Sequence, residues 1–175
     1  MQGGGPAQFW AHVVDIAAYM LLLAGKAATL EEAKEMASAV RENGAALQKF
    51  RALVGAQGGD VRQVDDPSRL PQASLVEPIL APRRVVIAAF DTGAVGWAAV
   101  HLGAGRLVKT DKIDHAVGFL LPCAVGDAFA QGETLGQVHA NNGDKLETAR
   151  AELLAAITWS DEPVAPLPHS YGTIR

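Results

Sequence analysis

The sequence has 175 residues, 49% of them hydrophobic and 19% charged, with a net charge of −4 and a pI near 5.7. That is enough chain for one ordinary core, or for a core plus a helical extension, and the acidic balance leaves no electrostatic footprint for nucleic acid or an anionic membrane. The lone cysteine, Cys123, has no intrachain disulfide partner, which fits a reducing cytoplasm; placed after Leu121-Pro122 at a strand end, it reads as a half-buried structural thiol.

In chain order, Gly3-Gly4-Gly5-Pro6 is a flexible lead into a helix, with Pro6 tolerated in the first turn. A glycine run before a helix is able to bind phosphate, but no strand precedes this one and no Lys-Ser or Lys-Thr follows it. Residues 9–25 are strongly apolar, yet they contain His12 and Asp15 and fall just short of a membrane-spanning length. No Lys or Arg stands before them to begin a secretory signal, so they predict a buried helix. Its apolar residues cover more than one face and demand cover on several sides. If part of that cover is missing from the chain, Phe9, Trp10, Val13, Met20 and Leu21 are expected to form an exposed apolar patch.

Thr29 to Glu32 reads as a capping box. The helix it opens, residues 30–42, puts Leu30, Ala33, Ala37 and Val40 on one stripe and stops at Asn43-Gly44. A third helix carries Leu47, Phe50, Leu53 and Val54 at helical spacing and ends at Gly58-Gly59; neither helix shows a catalytic pattern. From Asp65-Asp66-Pro67 to Pro71 the composition turns to loop, the expected domain boundary. Residues 75–80 and 85–90 read as strands. Asp91-Thr92 then caps a helix over residues 93–102, whose Gly96 and three alanines suggest close packing on a sheet.

A long connection, residues 103–118, separates that helix from a strand at residues 116–121. Turns at Gly126-Asp127 and Gln131-Gly132-Glu133 precede a strand over residues 134–140; Asn142-Gly143 leads into a helix over residues 144–157, and the tail, with Pro163, Pro166 and Pro168, is extended. The fold class expected is α+β: three N-terminal helices, then a compact domain of short strands with two helices.

Metal and hydrolase chemistry find no support. His12, His101, His115, His139 and His169 are scattered, without a His-x-x-x-His or Cys-x-x-Cys pair, and no Gly-x-Ser-x-Gly elbow occurs. The connection over residues 103–118 is different. It carries two lysines, an arginine, three aspartate or histidine side chains and several glycines between rigid elements, where function concentrates. On composition alone it also reads as a solvated helix C-cap followed by a charged turn.

Gly103-Ala104-Gly105-Arg106, Asp111-Lys112-Ile113-Asp114-His115-Ala116-Val117-Gly118, Gly126-Asp127 and Gly132-Glu133-Thr134-Leu135 ahead of Val138-His139-Ala140 together resemble the C-terminal domain of pyrimidine-nucleoside (thymidine) phosphorylases. Gly5-Pro6, Met20-Leu21-Leu22-Leu23-Ala24-Gly25-Lys26-Ala27, Lys49-Phe50 and Ala56-Gln57-Gly58-Gly59-Asp60 resemble the part just before that domain, and Ser160-Asp161-Glu162-Pro163 resembles its end. The resemblance implies that residues 1–64 are the end of the family's large α/β domain and residues 72–175 its C-terminal domain. It implies an enzyme that cleaves pyrimidine nucleosides with inorganic phosphate to give free base and (deoxy)ribose 1-phosphate, with phosphate as co-substrate, no cofactor, a homodimer when full length, and a cytoplasmic location.

The family places its phosphate site on a Lys-His-Ser/Thr-Thr-Gly-Gly segment and its base recognition on an Arg, a Ser and a Lys, all in the first half. None of these motifs is present, and no Lys-His pair occurs. The resemblance therefore implies a chain that is inactive alone, with no catalytic or substrate-binding residue of its own. Its nearest approach to the cleft is a loop matched by Gly105, Arg106, Asp111, Lys112, Asp114 and His115. Arg106 is expected to close the cleft or to pair with Asp111 or Asp114, and His115 to be a hydrogen-bonded structural histidine.

The competing class is a non-enzymatic module. The hairpin over residues 125–135 is similar to biotinyl and lipoyl carrier domains, but the position of their acceptor lysine is Asn142 here, and Lys145 falls where the sequence already reads as helix. An accessory subunit that completes a separately encoded catalytic half is the other form of that class.

Overall fold

The computed structural model describes residues 4–168 and 170–172; Gly3 of the glycine lead and His169 lie outside them. The chain divides into two compact units, one holding the helices up to Arg69 and the other Leu70–Pro168.

In the first unit, α1 (Ala7–Leu23) packs on α2 (Leu30–Glu42), which is followed by α3 (Ala45–Ala56) and the short α4 (Arg62–Asp65). The Thr29 hydroxyl accepts the Glu32 N–H at 3.2 Å, and the Glu32 carboxylate reaches back to the Ala28 N–H at 2.8 Å, so two orphan donors of the α2 N-terminus are satisfied. Glu31 and Glu32 in the first turn and Arg41 in the last complement the helix dipole. Asp15 of α1 pairs with Lys34 of α2 at 3.0 Å, and the Arg41 guanidinium lies 4.1 Å from the centre of the Trp10 ring. Only Val14 and Ala18 of α1 are buried. Phe9, Val13 and Met20 are exposed and Trp10 and Leu21 half-buried, an apolar face without cover.

The second unit holds two antiparallel three-stranded sheets. One has the order β1 (Leu75–Leu80), β5 (Thr134–Ala140), β3 (Gly118–Leu120); the other has β4 (Ala128–Phe129), β2 (Val85–Phe90), β6 (Ile157–Ser160). The strands read at residues 75–80 and 85–90 are present, but they do not pair with each other. β1 takes β5 as its partner and β2 takes β4 and β6. Pro78 is accommodated because β1 is an edge strand. A register shift between Ile79 and Leu80 lets both Leu135 and Gly136 of β5 be buried, breaking the strict alternation of a half-buried strand.

Helix α5 (Thr92–Ala99) is capped by the Asp91 carboxylate, which accepts the Ala94 N–H at 2.9 Å, and continues into a π-turn, Val100–Ala104. It packs on α6 (Gly143–Ala155), with Ala98 buried, whereas Gly96 faces open space. The close approach expected of Gly96 on a sheet is therefore not made. Leu146, Ala149 and Leu153 form the inward face of α6, and with Ile79, Val85, Leu102, Leu135 and Val138 they make the core.

Helix α6 ends at Ala155, not at Ile157. Ile157 opens β6, a strand absent from the sequence reading, whose register on β2 runs from Phe90↔Ile157 to Val86↔Ser160. The strand read at residues 116–121 is likewise shorter, since only Gly118–Leu120 finds backbone partners on β5.

Candidate functional site

The connection between α5 and β3 is built around two carboxylates that face inward. Gly103, at φ +122°, turns the chain out of the π-turn in a conformation that disfavours any side chain. Its carbonyl then accepts the Asp114 N–H at 3.0 Å, closing the loop at its base. Asp111 shapes the tip: its carboxylate accepts the Leu107 and Val108 N–H groups, each at 3.0 Å, and its own N–H donates to the Val108 carbonyl at 3.0 Å.

Asp114 anchors the other end. One carboxylate oxygen accepts the Ala116 N–H at 3.0 Å and the other accepts the Asn141 side-chain amide at 2.8 Å. Asn141 in turn accepts the Ser74 N–H at 2.7 Å, so one side chain ties the loop to the start of β1 and the end of β5. The Asn141 hydrogen bond, then the Ala116 N–H, and the positive fields of His115 and Lys145 hold the Asp114 carboxyl below the ordinary 3.8 of an aspartate. Lys145, in the first turn of α6, brings its Nζ to 4.0 Å from where a side chain on Gly103 would begin.

The cations take the opposite orientation. Arg106, Lys109, Lys112 and His115 are exposed, as are Leu107 and Val108 between them. Among the described residues Arg106 makes no ion pair, because both aspartates expected as its partners are engaged by backbone N–H groups and Asn141. His115 is exposed and makes no hydrogen bond among the described residues, so the hydrogen-bonded structural role expected of it does not hold. The loop thus sorts its charge: carboxylates spent on its own architecture, positive side chains left to solvent. Such an arrangement suits electrostatic contact with an anion and gives no poised acid–base pair.

Of the six residues singled out from sequence, Asp111 and Asp114 organise the loop, Gly105 sits where a Cβ would meet Val100 Cγ2 at 2.6 Å, and Arg106, Lys112 and His115 form its outer surface. Asn141 was missed. The Asn141-Asn142-Gly143 run reads simply as a helix lead, and Asn142 does cap α6, accepting the Lys145 N–H at 2.9 Å. The first asparagine is then free for a bridge that the tertiary fold alone supplies.

We expect Asn141→Ala to raise the Asp114 pKa toward 3.8 in an NMR titration of its carboxyl carbon; an unchanged Asp114 would show that the amide bond is not what depresses it. The sign for stability follows. Because the folded-state pKa is depressed, the contribution of Asp114 is fully present above the unfolded pKa and is lost as pH falls through the folded one, below about pH 4.

Other features are structural. His101 Nδ1 lies 3.0 Å from both carboxylate oxygens of Glu152 and tilts against Trp97, joining the π-turn to α6. Cys123 is half-buried, and burial pushes its thiol pKa up. Lys145, as a helix residue, does not sit at a hairpin tip as a carrier lysine does. A cavity of about 740 Å³ between Arg84, Phe129 and Asp161 is lined by none of the six loop residues. Among the described residues no three His, Cys, Asp or Glu side chains converge as a metal site, and no helix is long and apolar enough to cross a membrane.

Residues 86–160 match the pyrimidine nucleoside phosphorylase C-terminal domain family. The chain is 39% identical over 164 residues to a pyrimidine-nucleoside phosphorylase of Geobacillus stearothermophilus, covering 94% of this chain and 38% of that protein. It is 37% identical over 166 residues to one of Staphylococcus aureus (strain bovine RF122 / ET3-1), covering 95% of this chain and 38% of that protein. The chain thus spans well under half the length of these curated relatives, and the part it matches is their C-terminal part.

Proposed function

We propose that this chain, whose residues 86–160 match the pyrimidine nucleoside phosphorylase C-terminal domain family, supplies the C-terminal part of a pyrimidine-nucleoside phosphorylase and is inactive by itself. The observation that carries this reading is the asymmetry of the match: nearly all of this chain, but 38% of each relative. Residues 1–64 are the end of the large domain in this reading, and residues 72–175 the C-terminal domain.

The reaction is attack of a phosphate oxygen on the sugar carbon that bears the base. The carbon–nitrogen bond breaks, its electron pair leaves with the pyrimidine, and free base and sugar 1-phosphate result. Charge develops on both sides of the sugar, so positive side chains brought to the mouth of the cleft stabilise the departing anion or hold phosphate. The exposed Arg106 and Lys112 are suited to that role. Asp111 and Asp114 act through the backbone they hold, as positioning residues.

The test is phosphorolysis of thymidine and uridine, with and without phosphate, by the purified chain alone and mixed with the N-terminal half of a homologous phosphorylase. Phosphate-dependent release of base only on mixing is the expected result. Release by the chain alone would overturn the proposed incompleteness and direct the search for catalytic residues to residues 103–118.

A further inference from the structure

Helix α5 does not run straight into the cationic loop. It first widens into the π-turn Val100–Ala104, a rare element that occurs mostly as a single turn and often at functional sites. Three consecutive residues of this turn are each held by a different means. Leu102 is buried in the core, and Gly103, at φ +122°, gives its carbonyl to the Asp114 N–H. His101 is held by α6, with Nδ1 3.0 Å from both carboxylate oxygens of Glu152.

An ionised carboxylate only accepts hydrogen bonds, so Nδ1 carries the proton and donates it. The ring also packs against Trp97, one helical turn earlier, with centroids 6.1 Å apart at 32°. His101 is thus fixed in orientation although it is exposed. The core does not require this contact: the buried side chains of α6 are Leu146, Ala149 and Leu153, and Glu152 is not among them. A surface pair of this kind adds little to global stability. Its effect is local, on where the turn points.

We propose that His101 is a positioning residue: its hydrogen bond to Glu152 fixes the π-turn against α6, and with it the place from which Arg106 and Lys112 reach out. Two features carry this. The loop is closed at its base by the Gly103 carbonyl, two residues beyond His101, so a turn that rewound to α-helical spacing would rotate that carbonyl away from Asp114. Among the described residues Arg106 makes no ion pair, which leaves its location to the backbone that carries it. The proposal rests on the functional reading above only for the reaction that the loop serves.

The test is amide hydrogen exchange on the full chain, read at Asp114, whose N–H closes the loop, and at Val138 of β5, fully buried, as control. His101→Ala is expected to speed exchange at Asp114 about three- to tenfold, the loss of one hydrogen bond read as local opening, and to leave Val138 unchanged. His101→Asn is expected to restore the parent rate, because its amide nitrogen supplies a donor in the place of Nδ1. Glu152→Ala should match His101→Ala, and the two together should add nothing further. Acceleration at Val138 equal to that at Asp114 would make the pair a general stabiliser and overturn the proposal. So would no acceleration at Asp114, or an Asn variant that behaves like the Ala variant.

The same variants, in this chain joined to the preceding part of the Geobacillus relative, report on the reaction. A lower kcat/KM for His101→Ala with recovery in His101→Asn is the expected result, and full activity in His101→Ala would overturn the role of the pair in catalysis. A joined protein of parent sequence that releases no base would sink the functional reading, and the exchange rates would still decide the positioning of the loop.

Discussion

Gly136→Ala is expected to destabilise the second unit by roughly 3 kcal/mol, the upper range for overpacking a filled core. Gly136 lies in β5, the central strand between β1 and β3, opposite Ile79 and beside the register shift. A Cβ there would overlap the Leu120 carbonyl oxygen and come within 2.9 Å of Leu121 Cδ2. The obstacle is backbone in a neighbouring strand, so no rotamer change relieves it, and β3 must move away from β5. Hydrogen exchange of the β5 amides measures the loss directly. Gly96→Ala is the control: it adds a methyl to an exposed helix position with open space around it and is expected to stabilise by about 0.5–1 kcal/mol through helix propensity. Equal effects at the two sites would mean that the close approach of β3 to β5 is wrong.

Leu153→Ala is expected to cost about 2–5 kcal/mol, the sum of lost transfer energy and the cavity left behind. Leu153 is fully buried on the inward face of α6, among residues of both sheets. Because α6 runs from the Asn142 cap beside the candidate loop to the start of β6, loosening its packing should also weaken the Asn141–Asp114 tether. The measurement is a urea midpoint followed together with the Asp114 carboxyl resonance, and a midpoint shift without any change in that resonance would separate core from loop. Leu23→Ala, at an exposed position of α1 in the chain alone, is expected to change stability by less than about 0.5 kcal/mol.

Much of this molecule was legible in its residues because the signals were local. Thr29 and Glu32 satisfy N–H groups within one turn, as a capping box predicts, and Asp91 does the same for α5. The strands at residues 75–80 and 85–90 show in apolar, largely branched side chains, and the apolar residues of α1, on more than one face, pointed to the exposed patch that the fold shows. The order of short motifs from Gly103 to Ala140 carried the resemblance that the match over residues 86–160 bears out.

What tertiary structure alone decided was pairing. The sequence reading ends a helix at Ile157, and residues 157–160 are strand because β2, some seventy residues earlier, offers them a ladder of backbone groups. Gly96 looked like a packing glycine, but the close contacts went to Gly136, whose need arises from how near β3 crosses β5. The charges of the loop were visible one by one; their sorting was not. Asp111 and Asp114 turn inward because unpaired backbone N–H groups and Asn141 are there to be satisfied, and Arg106 is left outside because those carboxylates are already taken. Caps, periodicity and motifs act over a few residues, so the α+β class, most of the helices, the strands at residues 75–80, 85–90 and 134–140, and the resemblance to pyrimidine-nucleoside phosphorylases were readable without the fold. The fold decided which backbone groups remained to be paired, and so which side chains were spent on architecture and which were left for function.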